Sequence, residues 1–201
     1  MGKAKVRWIL LCEDRAQEQF FRRVGEGLGL RGKIRVVVAP EAENASAWIL
    51  AQYPKWASRL IRERGQPNLA LLVVIDGDQL GHAERRRQLR SRLEHAALSI
   101  EPIARKVVFE IPTWNIETWL GFLGAEATVA ESIDYKRGPR ADWLPAEPKL
   151  GRPSKEWHLL MKKAADRFVE LLREPDPRAA GIPQELPALI EGLVALKRLG
   201  I

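Results

Sequence analysis

Cysteine is almost missing from this 201-residue chain: Cys12 stands alone. That excludes an internal disulfide and any zinc site built on several thiolates. Histidine is nearly as scarce, and His82, His95 and His158 show neither metal-ligand spacing nor the partners of a Ser-His-Asp arrangement. No apolar run approaches the roughly 20 residues that cross a bilayer. The start, Met1-Gly-Lys-Ala-Lys-Val-Arg-Trp8, lacks the apolar stretch and cleavage site of a secretory leader, and Val6 stands where a myristoylation motif needs Ser or Thr. A cytoplasmic location without membrane contact is therefore expected. Gly25-Glu-Gly27-Leu-Gly29 lacks the strand-then-helix setting of a phosphate loop, so any ATPase activity would need a separate subunit. Acidic residues are in deficit, 26 against 33 Lys and Arg, for a net charge of +7. Such a balance suits a polyanionic partner, above all where acids gather at one place and bases spread around it.

What is present reads as alternating strands and helices. Val6–Cys12, Ile34–Ala39, Leu69–Ile75 and Arg105–Ile111 are short apolar or β-branched runs of strand type. Helical spacing is predicted over 16–28, 45–63, 82–97, 116–123, 155–172 and 187–199, with Pro54 expected to break or kink the second of these. Residues 133–154, rich in Pro, Gly and charge, read as a long loop excursion. The pattern predicts an α/β fold, a mainly parallel sheet flanked by helices. Residues 1–132 would form its core, and 133–201 an excursion plus a C-terminal helical extension packed on the same core.

In such sheets ligands gather outside the carboxyl ends of the strands. Glu13 directly follows the first strand, and Asp76-Gly77-Asp78 follows the third. If those strands are neighbours, three carboxylates meet at one edge. Close carboxylates repel and need a cation; all-oxygen ligands favour Mg²⁺ or Mn²⁺. An extended Asp-Gly-Asp would aim both acids the same way, with Gly77 free to take an unusual dihedral. The competing reading for Asp78 is a helix cap.

At these residues the sequence resembles the TOPRIM domain of topoisomerases, primases and overcoming-lysogenization-defect nucleases, in which a Glu follows the first strand and an Asp-x-Asp a later one. Glu110-Ile-Pro112-Thr-Trp-Asn-Ile-Glu117-Thr-Trp119-Leu120 is similar to a segment of small TOPRIM-like proteins of uncharacterised or phage-defence function, including the RloB-like group, and Gly181-Ile-Pro183 with its following helix is compatible with them. The resemblance implies a Mg²⁺- or Mn²⁺-dependent nuclease acting on DNA or RNA. Glu13 would be its acid/base or a metal ligand, Asp76 and Asp78 metal ligands, and Glu117 a further acid of the site or a structural residue. Relatives usually carry a glycine after the Glu and an acid or hydroxyl residue a few positions on; here Asp14, Ala16 and Gln17 stand there, with Glu18 as the nearest substitute acid. The alternatives are a nucleic-acid- or protein-binding module that keeps the fold without the chemistry, and a phosphoacceptor domain using Asp76 as nucleophile. A homo-oligomer is compatible with any of these.

Arginines crowd the helix after Asp78: Arg85, Arg86, Arg87, Arg90 and Arg92. They cannot share one face, and Glu84 and Glu94 are spaced to pair with Arg87 and Arg90. Arg85 and Arg86, with Lys149 and Arg152 in the later loop, are the candidate phosphate contacts. Trp8, Trp119 and Trp157 fall on apolar patterns and are expected in the core, with Trp114 and Trp143 near turns. Cys12 is expected to be a buried thiol.

Overall fold

The computed structural model describes residues 6–41, 44–63, 68–112, 115–130, 133–135, 141–145, 154–174 and 186–200. In chain order the elements are β1 (Trp8–Cys12), α1 (Arg15–Gly27), β2 (Ile34–Val38), α2 (Ala45–Arg62), β3 (Ala70–Val74), α3 (Gly81–His95), a 3₁₀ turn (Glu101–Lys106), β4 (Val107–Glu110), α4 (Ile116–Gly124), α5 (Lys155–Leu171) and α6 (Leu186–Arg198). The strands form one all-parallel sheet in the order β2-β1-β3-β4. β1 and β3, every residue buried, are the central strands. Their unbroken apolar sequences are what a strand covered on both faces requires.

Side chains alternate between two cores. Leu10, Leu72, Val74 and Val108 face α1, α4, α5 and α6, where Phe20, Trp119, Phe168 and Leu189 fill the layer. Ile9, Leu11, Leu71 and Val73 face α2, α3 and the 3₁₀ turn, against Tyr53, Leu89 and Ile103. The helices beyond residue 154 thus share a core with the first strand. No helix among the described residues is long and apolar enough to cross a membrane.

Of the two alternatives expected at Pro54, a break does not occur, and the start of one expected strand is corrected. α2 runs through Pro54 without a break: the ring removes one backbone donor, but Ile49, Tyr53, Ala57 and Leu60 stay buried against the sheet on either side of it. Arg105 and Lys106 are not strand residues; Pro102 opens a 3₁₀ turn that carries them, and pairing starts only at Val107. The tryptophans behave as the apolar patterns imply, with Trp8, Trp119 and Trp157 buried and Cys12 fully enclosed.

Candidate functional site

The carboxyl ends of β1 and β3 open into a cleft of about 590 Å³. β1 and β3 are hydrogen-bonded neighbours, so the residues that follow them, Glu13 and Asp76, emerge side by side. Glu13 Oε1 accepts from the Asp76 backbone N–H (3.1 Å) and from Ser46 Oγ (2.7 Å), at the start of α2. Burial pushes the Glu13 carboxyl above its ordinary range and the Asp78 charge adds to this, while the Ser46 and Asp76 hydrogen bonds and Arg85 pull it back.

Gln17, fully buried on α1, joins the two acidic positions. Its Nε2 donates to Asp76 Oδ1 (2.7 Å), and its Oε1 accepts from the Glu13 N–H (2.8 Å). Asp14 holds Gln17 in turn, accepting from its backbone N–H (2.9 Å) as the N-cap of α1. That explains an acid where the resemblance expects glycine: Asp14 starts the helix that delivers Gln17. Glu18 is not the substitute acid. It forms ion pairs with Arg15 and Arg22 along α1 and does not line the cleft.

Asp76 and Asp78 diverge. Asp76 is 4% exposed, whereas the Asp78 side chain is 36% exposed at the rim. The backbone between them is not extended: the Gly81 N–H donates to the Gly77 carbonyl (3.0 Å), and Asp78 takes φ 48°. Gly77 does not carry the left-handed dihedral. A left-handed residue other than glycine costs roughly 1 kcal/mol, less for Asp than for most. Nor does Asp78 cap α3, whose N-cap is Leu80 without a side-chain hydrogen bond. Instead Asp78 Oδ2 accepts from Arg85 Nη2 (3.0 Å). The β3–β4 ladder meanwhile continues past the strands, with the Gly77 N–H donating to the Pro112 carbonyl (2.9 Å), which fixes the base of this turn.

Arg85 is the arginine of α3 that turns inward, only 6% exposed. Its Nε donates to the Asp76 carbonyl (2.8 Å), Nη1 to Gln88 (3.1 Å), and Nη2 also to Ser46 Oγ (3.1 Å). Arg86 lies over the Phe109 ring and donates to His82, Arg87 pairs with Glu84, and Arg90 and Arg92 are exposed. Glu117 is buried in α4 and does not line the cleft. Lys149, Arg152 and Trp114 lie outside the described residues; Trp143 packs on Tyr135.

Ser46, Gln17 and Asn115 were not singled out from sequence as site residues. Asn115, buried before α4, donates to Asp134 (2.7 Å), and its own Oδ1 has no hydrogen-bond partner. Glu13, Asp14, Asp76, Asp78 and Asp134 line the cleft, and Arg85 is the lining cation among the described residues. The described lining is therefore acidic on a chain of net charge +7. No three or more His, Cys, Asp or Glu among the described residues are gathered closely enough to hold an ion as they stand.

No family model, curated protein or solved structure matches the chain. The lining donors of the cleft are carboxylate, amide and hydroxyl oxygens, with no thiol or imidazole among the described residues.

Proposed function

We propose that this cleft cleaves phosphodiester bonds of DNA or RNA with the help of Mg²⁺ or Mn²⁺, as a TOPRIM-like nuclease. The observation that carries the reading is the Glu13–Asp76 pair: two acids from adjacent parallel strands, braced by Gln17 and Ser46 in a cleft of hard oxygen donors. Such donors fit Mg²⁺, which is commonly held by one or two carboxylates plus water and substrate phosphate oxygens. The unpartnered Asn115 Oδ1 adds a buried acceptor on the same lining. A bound ion would polarise the phosphoryl oxygen and stabilise the leaving oxygen.

The chain's own groups divide the remaining work. Asp76 would hold the ion, with its carboxylate oriented by Gln17 Nε2. Glu13 Oε1 is fixed by Ser46 and the Asp76 N–H, which leaves Oε2 to take the proton of an attacking water. Burial lifts this carboxyl above its ordinary range, which strengthens it as a proton acceptor. The net charge of +7 favours attraction for a polyanion. A role in phage defence follows from the resemblance through Glu13, Asp76-Gly77-Asp78 and the Glu117 segment.

The test is cleavage of labelled DNA and RNA with Mg²⁺, with Mn²⁺ and with chelator, for the wild type, Asp76→Asn and Glu13→Gln. Removing a positioned acid or base is expected to lower the rate about 10²- to 10⁴-fold. Equal activity in all three proteins would end the assignment.

A further inference from the structure

We propose that a second cavity, at the amino end of β1, binds a small carboxylate with an apolar tail, of the medium-chain fatty-acid class. It lies at the opposite end of the parallel sheet from the acidic cleft and does not draw on the metal-dependent reading. The cavity measures about 240 Å³. Its walls are aliphatic: Leu28 and Leu30 after α1, Leu172 at the end of α5, and Leu193 and Val194 on α6. Sites for drug-sized ligands run from roughly 300 Å³ upward, so the occupant is small.

The polar side chains of this lining are all donors. Arg7 is half-buried, and its Nε is closed off from solvent without a hydrogen-bond partner. Trp8 is 2% exposed, and its Nε1 is likewise unpartnered. Lys197, two turns from the end of the described chain, is exposed and marks the mouth. The lining holds no carboxylate among the described residues, and neither Arg7 nor Lys197 has an ion-pair partner there. Arg7 is also fixed in place: its N–H donates to the Lys33 carbonyl (2.8 Å), and its carbonyl accepts from the Ala70 N–H (2.8 Å). Buried donors without acceptors are costly and rare, and a bound anion is one of their ordinary explanations. A ligand carboxylate supplies the acceptor and counter-charge that the lining lacks. The aliphatic walls add what a bare anion leaves unused, a surface for an alkyl chain. A cationic amphiphile would match the walls but meet Arg7 and Lys197 with like charge.

The experiment is calorimetric titration of the full chain with octanoate, hexanoate, octylamine and inorganic phosphate. Octanoate is expected to saturate one site per chain, with binding about three- to fourfold tighter for each methylene gained over hexanoate. Octylamine and phosphate are expected to bind at least about tenfold more weakly than octanoate. Arg7→Gln is expected to weaken octanoate about tenfold or more and Lys197→Gln about threefold or more. Val194→Phe, which fills the cavity, is expected to abolish binding. Octylamine or phosphate binding as tightly as octanoate would overturn the proposal, as would octanoate affinity unchanged in both Arg7→Gln and Lys197→Gln. No saturable octanoate binding to the wild type would also overturn it. Should Val194→Phe not fold, Lys197→Gln, at an exposed position, still decides. None of these outcomes bears on the metal-dependent reading of the cleft.

Discussion

Gln17 carries an unusual share of the site for an uncharged side chain, because it is fully buried and bonded to both acidic positions. Gln17→Ala would leave the Glu13 N–H without its partner and remove one bond to the Asp76 carboxylate. The expected cost is about 1–3 kcal/mol of stability, measured by urea unfolding. Cleavage is expected to fall about 10- to 100-fold, as when an outer partner of a metal ligand is lost. A silent Gln17→Ala would mean that the two acids do not depend on this bridge. Glu110 offers a different residue-scale test. It is 1% exposed at the end of β4, its Oε1 has no partner, and burial holds its carboxyl well above the ordinary range, with Arg86 only partly offsetting this. Its folded pKa exceeds its unfolded one, so the stability it contributes is full below about pH 4.3 and is lost as pH rises towards the folded value. Glu110→Gln removes that titration. The gap in unfolding free energy, variant minus wild type, is therefore expected to grow between about pH 5 and pH 8; a gap that shrinks would contradict the assigned direction.

At the scale of elements, much of the frame was legible and the turns were not. Leu69–Ile75 announces a doubly covered strand, and Asp76 at its end follows from chain order alone. Asp78 could not be placed this way, because a left-handed dihedral on a residue other than glycine leaves no sequence signal. Ser46 was equally hidden: a hydroxyl in the first turn of a helix reads as an end signal, not as a ligand. Arg85 was within reach. It shares the i, i+4, i+8 stripe with Leu89 and Leu93, the buried residues of α3, and that spacing separates it from the four other arginines. Helix contact distances were not legible at all. A Cβ on Gly124, at the end of α4, would lie 2.7 Å from the Leu160 carbonyl of α5. Gly124→Ala is thus expected to push α4 from α5 and cost about 1–3 kcal/mol despite the better helix propensity, as read by thermal or urea unfolding. A stabilised variant would show that the two helices separate freely.

For the molecule as a whole, charge is distributed in opposite senses. The chain is basic, yet the described lining of its cleft sets five carboxylates against Arg85. Among the described residues a phosphate group entering such a place meets one guanidinium, and on the proposed reading a hard divalent ion would supply further positive charge. The parallel sheet puts that need at the ends of β1 and β3, where Glu13 and Asp76 are tied together. The most direct measurement is the anomalous scattering of Mn²⁺ in crystals of the wild-type chain. The account predicts a strong peak at coordination distance, roughly 2 Å, from an Asp76 carboxylate oxygen on the Glu13 side of the cleft. A cleft without a peak at saturating Mn²⁺, or a peak on residues remote from Asp76, would contradict it.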